Sequence, residues 1–196
     1  MGVLTGRRGA GYLAPLLIAG ISLAGGETPE SAPAASHSEH DIESAMLYNF
    51  TKFVEWPDRA LGENGSSLVV GVLGDDPMTP VLAAALQNKT IYGHPILVLR
   101  LSSNADLKTC AVLLVGSSDR KEIARIVQSV GRAPVLTIGE QAQFSRLGGV
   151  IAFIRDGSRI RFEINPDAAD RAGLQVSSKL LRLADVWREP AGRPRN

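Results

Sequence analysis

The sequence predicts an α/β fold in which helices are layered around a mixed, mostly parallel central sheet that ends in a C-terminal antiparallel hairpin. Two continuous apolar runs, at residues 68–73 (LVVGVL) and 111–115 (AVLLV), are typical of strands buried on both faces. Segments with helical spacing alternate with the strand patterns, which favours parallel pairing. Asp156-Gly157, between two strand patterns, predicts a tight hairpin.

The individual elements follow from local patterns. Asp41 is a predicted N-cap for a first helix over residues 42–56, and Pro57 is its predicted stop. The other predicted helices cover residues 79–86, the segment after the cap at residues 116–118 through Val130, residues 141–147, a short segment capped by Asn165, and residues 177–187. The predicted strands cover residues 68–73, 96–101, 111–115, 134–138, 150–154 and 159–164.

Composition restricts the classes of protein. The chain has 196 residues, of which 44% are hydrophobic and 21% charged, so it can bury one core of ordinary size. Its 21 basic and 20 acidic side chains give no bias toward nucleic acid. Cys110 is the single cysteine, which excludes an intrachain disulfide and a cysteine-based zinc site. We therefore predict neither a metal nor a cofactor.

The N-terminus has the pattern of a targeting segment. Residues 1–26 contain Arg7 and Arg8, an apolar stretch over residues 12–24, and small residues after it. This order predicts a cleavable secretory signal peptide. The alternative is an uncleaved anchor, but the apolar stretch is shorter than the roughly 20 residues that a membrane span needs.

Two polar segments flank the predicted folded domain, which covers residues 41–187. Residues 27–40 are rich in Pro, Ala, Ser and Glu and predict a flexible linker. His37 and His40 lie in it, three positions apart, and a solvated segment is favoured over a metal site. Residues 188–196 predict a polar tail.

The strand over residues 159–164 alternates between charged and apolar side chains, so its apolar residues are predicted to face the core. The outward row would consist of Arg159, Arg161 and Glu163. Such charges commonly protect an exposed strand edge. The alternative is a polar binding face for an anion or a partner protein.

Two strand ends carry polar residues that could form a ligand pocket. Asp75 and Asp76 follow the first buried strand, where paired carboxylates can serve acid–base chemistry or hold a cation, although capping of the next helix is favoured. Ser117 and Ser118 precede another helix, whose N-terminus is a natural anion site. Open α/β sheets usually bind ligands at such strand ends.

Nothing in the sequence combines a nucleophile with a base. The sequence lacks a Gly-Lys-Ser/Thr phosphate loop ending and a G-x-S-x-G elbow, and His94 is predicted to be a surface turn residue. We therefore predict that the protein is not an enzyme. The aromatic first helix favours core packing, with docking on a partner through Tyr48 and Trp56 as the alternative.

Residues 47–57 (LYNFTKFVEWP) closely resemble the opening signature of the YfiR family of periplasmic proteins. Further motifs follow in the order of that family, and the resemblance covers roughly residues 43–187. These motifs are residues 73–77 (LGDDP), Gly139-Glu140 before Phe144, residues 148–151 (GGVI), residues 161–165 (RFEIN) and residues 177–181 (SSKLL).

The resemblance implies a regulator. YfiR-like proteins lie in the periplasm, tend to be homodimers, and restrain a membrane-bound diguanylate cyclase, YfiN, by binding its periplasmic sensor region. Synthesis of cyclic di-GMP then stays low, which limits biofilm formation. The alternative is a periplasmic small-molecule-binding sensor or carrier that acts on a different membrane partner.

One departure from the family concerns redox control. Members of the family often carry a cysteine near the positions of Val70 or Gly71, which can pair with one at the position of Cys110. This chain has no cysteine there, so control through that bridge is not expected. Cys110 is predicted to behave as a small apolar residue, with an intermolecular disulfide as the alternative.

Overall fold

The computed structural model describes residues 32–61, 66–74 and 76–190, and the predicted signal peptide, residues 1–26, lies outside them. The helices are α1 (Ala32–Lys52), α2 (Asp58–Leu61), α3 (Met78–Leu86), α4 (Arg120–Val130), α5 (Pro166–Arg171) and α6 (Ser178–Leu181). The strands are β1 (Val54–Glu55), β2 (Leu68–Leu73), β3 (Thr90–Ile91), β4 (His94–Leu101), β5 (Val112–Val115), β6 (Leu136–Gly139), β7 (Ile151–Asp156), β8 (Arg159–Ile164), β9 (Gln175–Val176) and β10 (Asp185–Val186).

Eight of these strands form one sheet in the order β10-β8-β7-β6-β5-β2-β4-β3. The five strands from β4 to β7 in this order run parallel, while β7 and β8 form an antiparallel hairpin. Asp156 pairs with Arg159 across a loop of Gly157 and Ser158, and Gly157 has a φ of 60°. The predicted fold class, including the hairpin, is confirmed.

Helices cover both faces of the parallel strands. Leu47 of α1 and Leu82 of α3 share one core cluster with Leu114 of β5, whereas Ile123 of α4 packs in a second cluster with Leu113. Neighbouring residues of β5 therefore enter different cores, which explains why this strand is apolar throughout. None of the helices in the described part of the chain has the length and apolar character that crossing a membrane requires.

The first helix begins earlier and ends earlier than predicted. It starts at Ala32, so residues 32–40 of the predicted linker are helical and Asp41 lies within the helix instead of capping it. A proline such as Pro33 is tolerated in a first turn, and no Gly or Pro interrupts the sequence from there to Lys52. The helix ends at Lys52 because the next residues form β1, which pairs with β9.

The C-terminal segment also departs from the prediction. Ser177 caps a helix as expected, but this helix ends at Leu181, and Asp185–Val186 forms β10 beside β8. A short strand that pairs with a distant part of the chain has no local pattern by which to recognise it. The polar tail is also partly docked, since Arg171 donates two hydrogen bonds of 2.8 Å to Glu189.

Three smaller predictions were wrong. The N-cap of α4 is Asp119 and not the segment 116–118. Residues 141–147 contain only a 3₁₀ turn at Ser145–Leu147. His94 is a buried residue of β4, and its Nδ1 lies 2.9 Å from the carbonyl oxygen of Ser66.

Candidate functional site

A cleft of about 640 Å³ lies at the carboxyl ends of β2 and β5. These strands are parallel neighbours, but the chain continues from β2 to β4 on one side and from β5 to β6 on the other. The crevice at such a reversal of strand order is where open α/β sheets bind ligands. Its lining draws polar side chains from several elements, among them His40, Asp76, Ser117, Glu122, Glu140 and Arg155.

The structure brings together three of the four residues predicted for a strand-end pocket. Asp76, Ser117 and Ser118 line the cleft, whereas Asp75 lies outside the described residues. Asp76 Oδ1 accepts a hydrogen bond of 2.8 Å from the backbone N–H of Met78 at the start of α3. The other oxygen of Asp76 lies against Gly116, where a Cβ atom would collide with it.

The N-terminus of α4 is occupied by side chains of the protein itself. Asp119 Oδ1 accepts hydrogen bonds from the backbone N–H groups of Lys121, at 2.7 Å, and Glu122, at 3.2 Å. The hydroxyl of Ser117 donates a hydrogen bond of 2.5 Å to the Glu122 carboxylate. Because these carboxylates already meet the helix N-terminus, the anion site that the sequence suggests is filled from within.

Glu140 lies in the cleft and was not singled out as a site residue from the sequence. It directly follows β6, and its Oε1 is buried without a hydrogen-bond partner among the described residues. Burial, together with the nearby charges of Asp76 and Glu43, raises the pKa of Glu140 to about 7, although Arg155 opposes the rise. Glu140 therefore exchanges a proton near neutral pH.

An ion pair stands beside Glu140. Glu43 of α1 is completely buried, and its Oε1 lies 3.0 Å from Arg155 Nη2. Its other oxygen is buried without a partner in the described part of the chain. Burial raises the pKa of Glu43, while Arg155 counteracts the rise. Arg155, predicted to be in a turn, reaches the cleft because β7 continues to Asp156.

The predicted outward row on β8 is only partly exposed. Arg159 and Arg161 are exposed, and Arg161 forms an ion pair of 3.3 Å with Asp185. Glu163 was predicted to face outward, but it is 7% exposed and accepts a hydrogen bond from the hydroxyl of Ser145. The prediction fails at Glu163 because the turn that contains Ser145 covers this end of the strand.

The two aromatic candidates of the first motif differ in exposure. Trp56 is 7% exposed and its Nε1 donates a hydrogen bond of 3.3 Å to the Ala111 carbonyl, so it is a core residue and presents no surface for docking. Tyr48 is half-buried, with the ammonium groups of Lys52 and Lys89 at 4.0 and 4.6 Å from its ring centroid. Of the two, only Tyr48 reaches the surface.

Cys110 is a free, buried thiol, and burial raises its pKa. A Cβ atom at Gly71 would lie 2.7 Å from Cys110 Sγ. Position 71 therefore faces Cys110, and the glycine found there leaves no sulfur with which to form a bridge. No group of three or more metal-binding side chains that could hold a metal ion occurs within the described ranges.

The fold is similar to that of a known crystal structure. Its similarity to the crystal structure of a conserved domain protein from Vibrio cholerae O1 biovar El Tor str. N16961 has a TM-score of 0.52 at 12% sequence identity. The match covers 76% of this chain and 60% of that one, so the chain spans less than two thirds of the length of its structural relative. A family model described as YfiR/HmsC-like matches residues 40–185, which run from α1 to β10. The chain therefore belongs to the YfiR/HmsC-like family.

Proposed function

We propose that the protein binds the periplasmic sensor region of a membrane-bound diguanylate cyclase and represses its synthesis of cyclic di-GMP, thereby limiting biofilm formation. The observation that carries this proposal is the family match over residues 40–185, which includes both helical layers and the central sheet as far as the first residue of β10. Because this family is regulatory, we propose a binding protein rather than a catalyst.

Export to the periplasm is part of the proposal. Residues 1–26 serve as a cleavable signal peptide. Mass spectrometry of the protein recovered from the periplasm tests this directly, since the mature chain would begin near Glu27. Recovery of the intact N-terminus in the membrane fraction would instead identify an anchor.

Arg159 and Arg161 are the residues of the predicted partner surface that remain exposed, and both lie on β8. We expect a chain with Arg159→Glu and Arg161→Glu to lose capture of the cyclase, because reversing two exposed charges opposes docking while leaving the core intact. The full chain with a C-terminal tag is crosslinked in the native periplasm and the captured proteins are identified by mass spectrometry.

The matched control reverses Arg125 and Arg132, which are exposed near the other helical layer. Capture by the unaltered chain and by this control, with loss in the β8 variant, would support both the cyclase partner and the surface. Equal capture by all three would keep the partner and reject the surface. Failure to capture any cyclase from cells shown to contain it would reject the proposal.

A second candidate function is that of a small-molecule sensor, and the cleft at the β2–β5 reversal favours it. A ligand at 100 times its dissociation constant would stabilise the fold by about 2.7 kcal/mol. A screen of periplasmic metabolites by thermal unfolding tests this, and the absence of any shift would count against it. The two functions are compatible, since a ligand that favours one conformation would adjust repression.

A further inference from the structure

We infer that the cleft between the ends of β2 and β5 binds a small organic cation, whose ammonium group is held by the carboxylates of Glu140 and Asp76. This inference rests on the second candidate function, the binding of a small molecule in that cleft. It adds the chemical class of the ligand and the residues that would select it.

The lining of the cleft carries an excess of negative charge. Four carboxylates line the cleft, and the one arginine in its lining, Arg155, is already paired with Glu43 at 3.0 Å and Glu39 at 3.7 Å. The four lining carboxylates are those of Asp76, Asp119, Glu122 and Glu140. Such a concentration of one sign in a concave site attracts ligands of the opposite sign.

The two helix N-termini that border the cleft have no room for an anion, because carboxylates of the chain itself already accept from their N–H groups. Asp76 accepts from the first N–H of α3, and Asp119 accepts from two N–H groups of α4. The carboxylate of Glu122 accepts the hydrogen bond that the hydroxyl of Ser117 donates. An incoming phosphate or carboxylate would therefore meet carboxylates where open helix ends would otherwise have offered donors.

Two buried carboxylate oxygens in and near the cleft have no hydrogen-bond donor among the described residues. Glu140 Oε1, in the lining of the cleft, is buried without a hydrogen-bond partner among the described residues. Glu43 Oε2 is also buried without a partner there, but Glu43 is not part of the lining and its other oxygen is paired with Arg155. The charge of Glu43 is close enough to raise the pKa of Glu140. Buried acceptors without donors are costly, and an ammonium group supplies three donors and no acceptor.

The geometry favours an organic cation over a metal ion. A metal needs several ligands within about 2.0–2.6 Å of one point, and the described residues contain no such group of three. The carboxylates are instead distributed around a cleft of about 640 Å³, which is within the range of small-molecule sites. A basic amino acid or a short polyamine has the required size and charge.

Binding of a cation would be coupled to a proton. Glu140 faces Asp76 from the β2–α3 connection, Glu43 from α1 and Arg155 from β7, while Glu39 and His40 act on Glu43. A cation stabilises the charged form of Glu140 and so displaces its proton. Because its pKa is about 7, we expect affinity to rise about tenfold between pH 6 and pH 8.

The test is calorimetric titration of the protein recovered from the periplasm, with L-lysine, putrescine and spermidine as probes. Norleucine serves as the neutral match to lysine, because it lacks only the side-chain ammonium group. We expect at least one of the cations to bind and norleucine not to bind. Binding should release a proton, so that the measured heat depends on the ionisation enthalpy of the buffer.

Two variants locate the site. Glu140→Gln is expected to weaken binding at least tenfold and to remove the pH dependence, whereas Glu55→Gln, at the exposed position of β1, leaves both unchanged. If Glu140→Gln does not fold, Asp76→Asn tests the same site, because Asp76 is the other carboxylate that would hold the ammonium group. Cation binding that is unchanged by Asp76→Asn would then overturn the inference.

Other outcomes would overturn the inference. Binding of neutral or anionic metabolites, with none of the three cations bound, would reject a cationic ligand and leave the sensor function standing. Stabilisation by Ca²⁺ or Mg²⁺ alone would replace the organic cation with a metal. No binding by a probe of any charge would reject both this inference and the sensor function.

Discussion

Asp76 and Glu140 both follow strands of the parallel sheet, yet their carboxylates have different surroundings. Asp76 accepts a backbone hydrogen bond at the start of α3, while one oxygen of Glu140 is buried without a partner among the described residues. The sequence predicts the role of Asp76, because acidic residues commonly cap helices. It could not predict the surroundings of Glu140, because Glu43 and Arg155, which determine the charge around Glu140, come from distant parts of the chain.

Glu140 makes the stability of the fold depend on pH. In the unfolded chain its carboxyl loses its proton near pH 4.5, whereas in the fold it keeps the proton until about pH 7. Stability from this group is therefore complete below pH 4.5 and is lost as the pH rises to 7, by at most about 3 kcal/mol. Glu140→Gln cannot ionise, so its Tm relative to the unaltered protein should rise between pH 5 and pH 8.

Glu55→Gln provides the control, since Glu55 is exposed on β1. Thermal unfolding of the three proteins across this pH range measures the effect. Parallel Tm curves for all three would show that Glu140 ionises in the fold as it does in water.

Gly71 illustrates a requirement for space that no local pattern reveals. A Cβ atom at this position would lie 2.5 Å from Leu101 Cδ1 and 2.7 Å from Cys110 Sγ. We expect Gly71→Ala to lower the free energy of unfolding by about 1–3 kcal/mol through overpacking. Cys110→Ala in the same chain should recover part of this loss because it removes one of the two contacts.

Urea denaturation of the two single variants and the double variant measures the coupling between positions 71 and 110. Strictly additive losses would mean that the added methyl group does not press on Cys110.

At the level of elements, the strands were predicted well because each pattern reports local burial. The alternation of β8 placed Phe162 and Ile164 in the core, and both are buried. The pattern failed at Glu163 because this side chain is covered by residues from another part of the chain, including Ser145. The short strands β1, β9 and β10 were missed for the same reason, since each has only two residues and depends on a distant partner.

Several motif residues that could have been assigned to function belong to the core. Gly139 and Gly149 both pack against the ring of Phe144, where a Cβ atom at either position would collide with it. Asn165 caps α5 by accepting a hydrogen bond of 2.9 Å from the N–H of Ala168. A family motif therefore reports requirements of the fold as well as those of the site.

The N-cap of α4 provides a test of how this element is held. Asp119→Ala should lower the free energy of unfolding by about 1 kcal/mol, because it leaves the N–H groups of Lys121 and Glu122 without their acceptor. Ser118→Ala, at the exposed neighbouring position, should change it by less than about 0.5 kcal/mol. Urea denaturation measures the free energy of unfolding of both variants. A larger loss for Ser118→Ala than for Asp119→Ala would show that Asp119 is not the residue that caps α4.

At the scale of the whole molecule, one edge of the sheet suggests how two copies could associate. Beyond Pro95, no described strand pairs with the outer edge of β4, and Leu97 and Leu99 on this strand are 44% and 39% exposed. An exposed apolar edge strand is a template for pairing with another chain. We predict a homodimer that forms there.

Replacing Leu97 and Leu99 by Lys should give a folded monomer, because charges at an edge oppose strand pairing. Leu183→Lys is the control, since Leu183 is 75% exposed just before β10, at the opposite edge of the sheet. Light scattering gives the mass of each variant. A control that dissociates, or an edge variant that stays dimeric, would place the interface elsewhere.

The central claim is that this protein restrains a diguanylate cyclase, and the most direct measurement is the cyclic di-GMP content of cells that lack the protein. We predict that the cyclic di-GMP content rises when the chain is removed and falls again when the full chain is restored. In cells that also lack the captured cyclase, removal of the chain should have no effect. An unchanged cyclic di-GMP content on removal, or a rise that persists without the cyclase, would contradict the account.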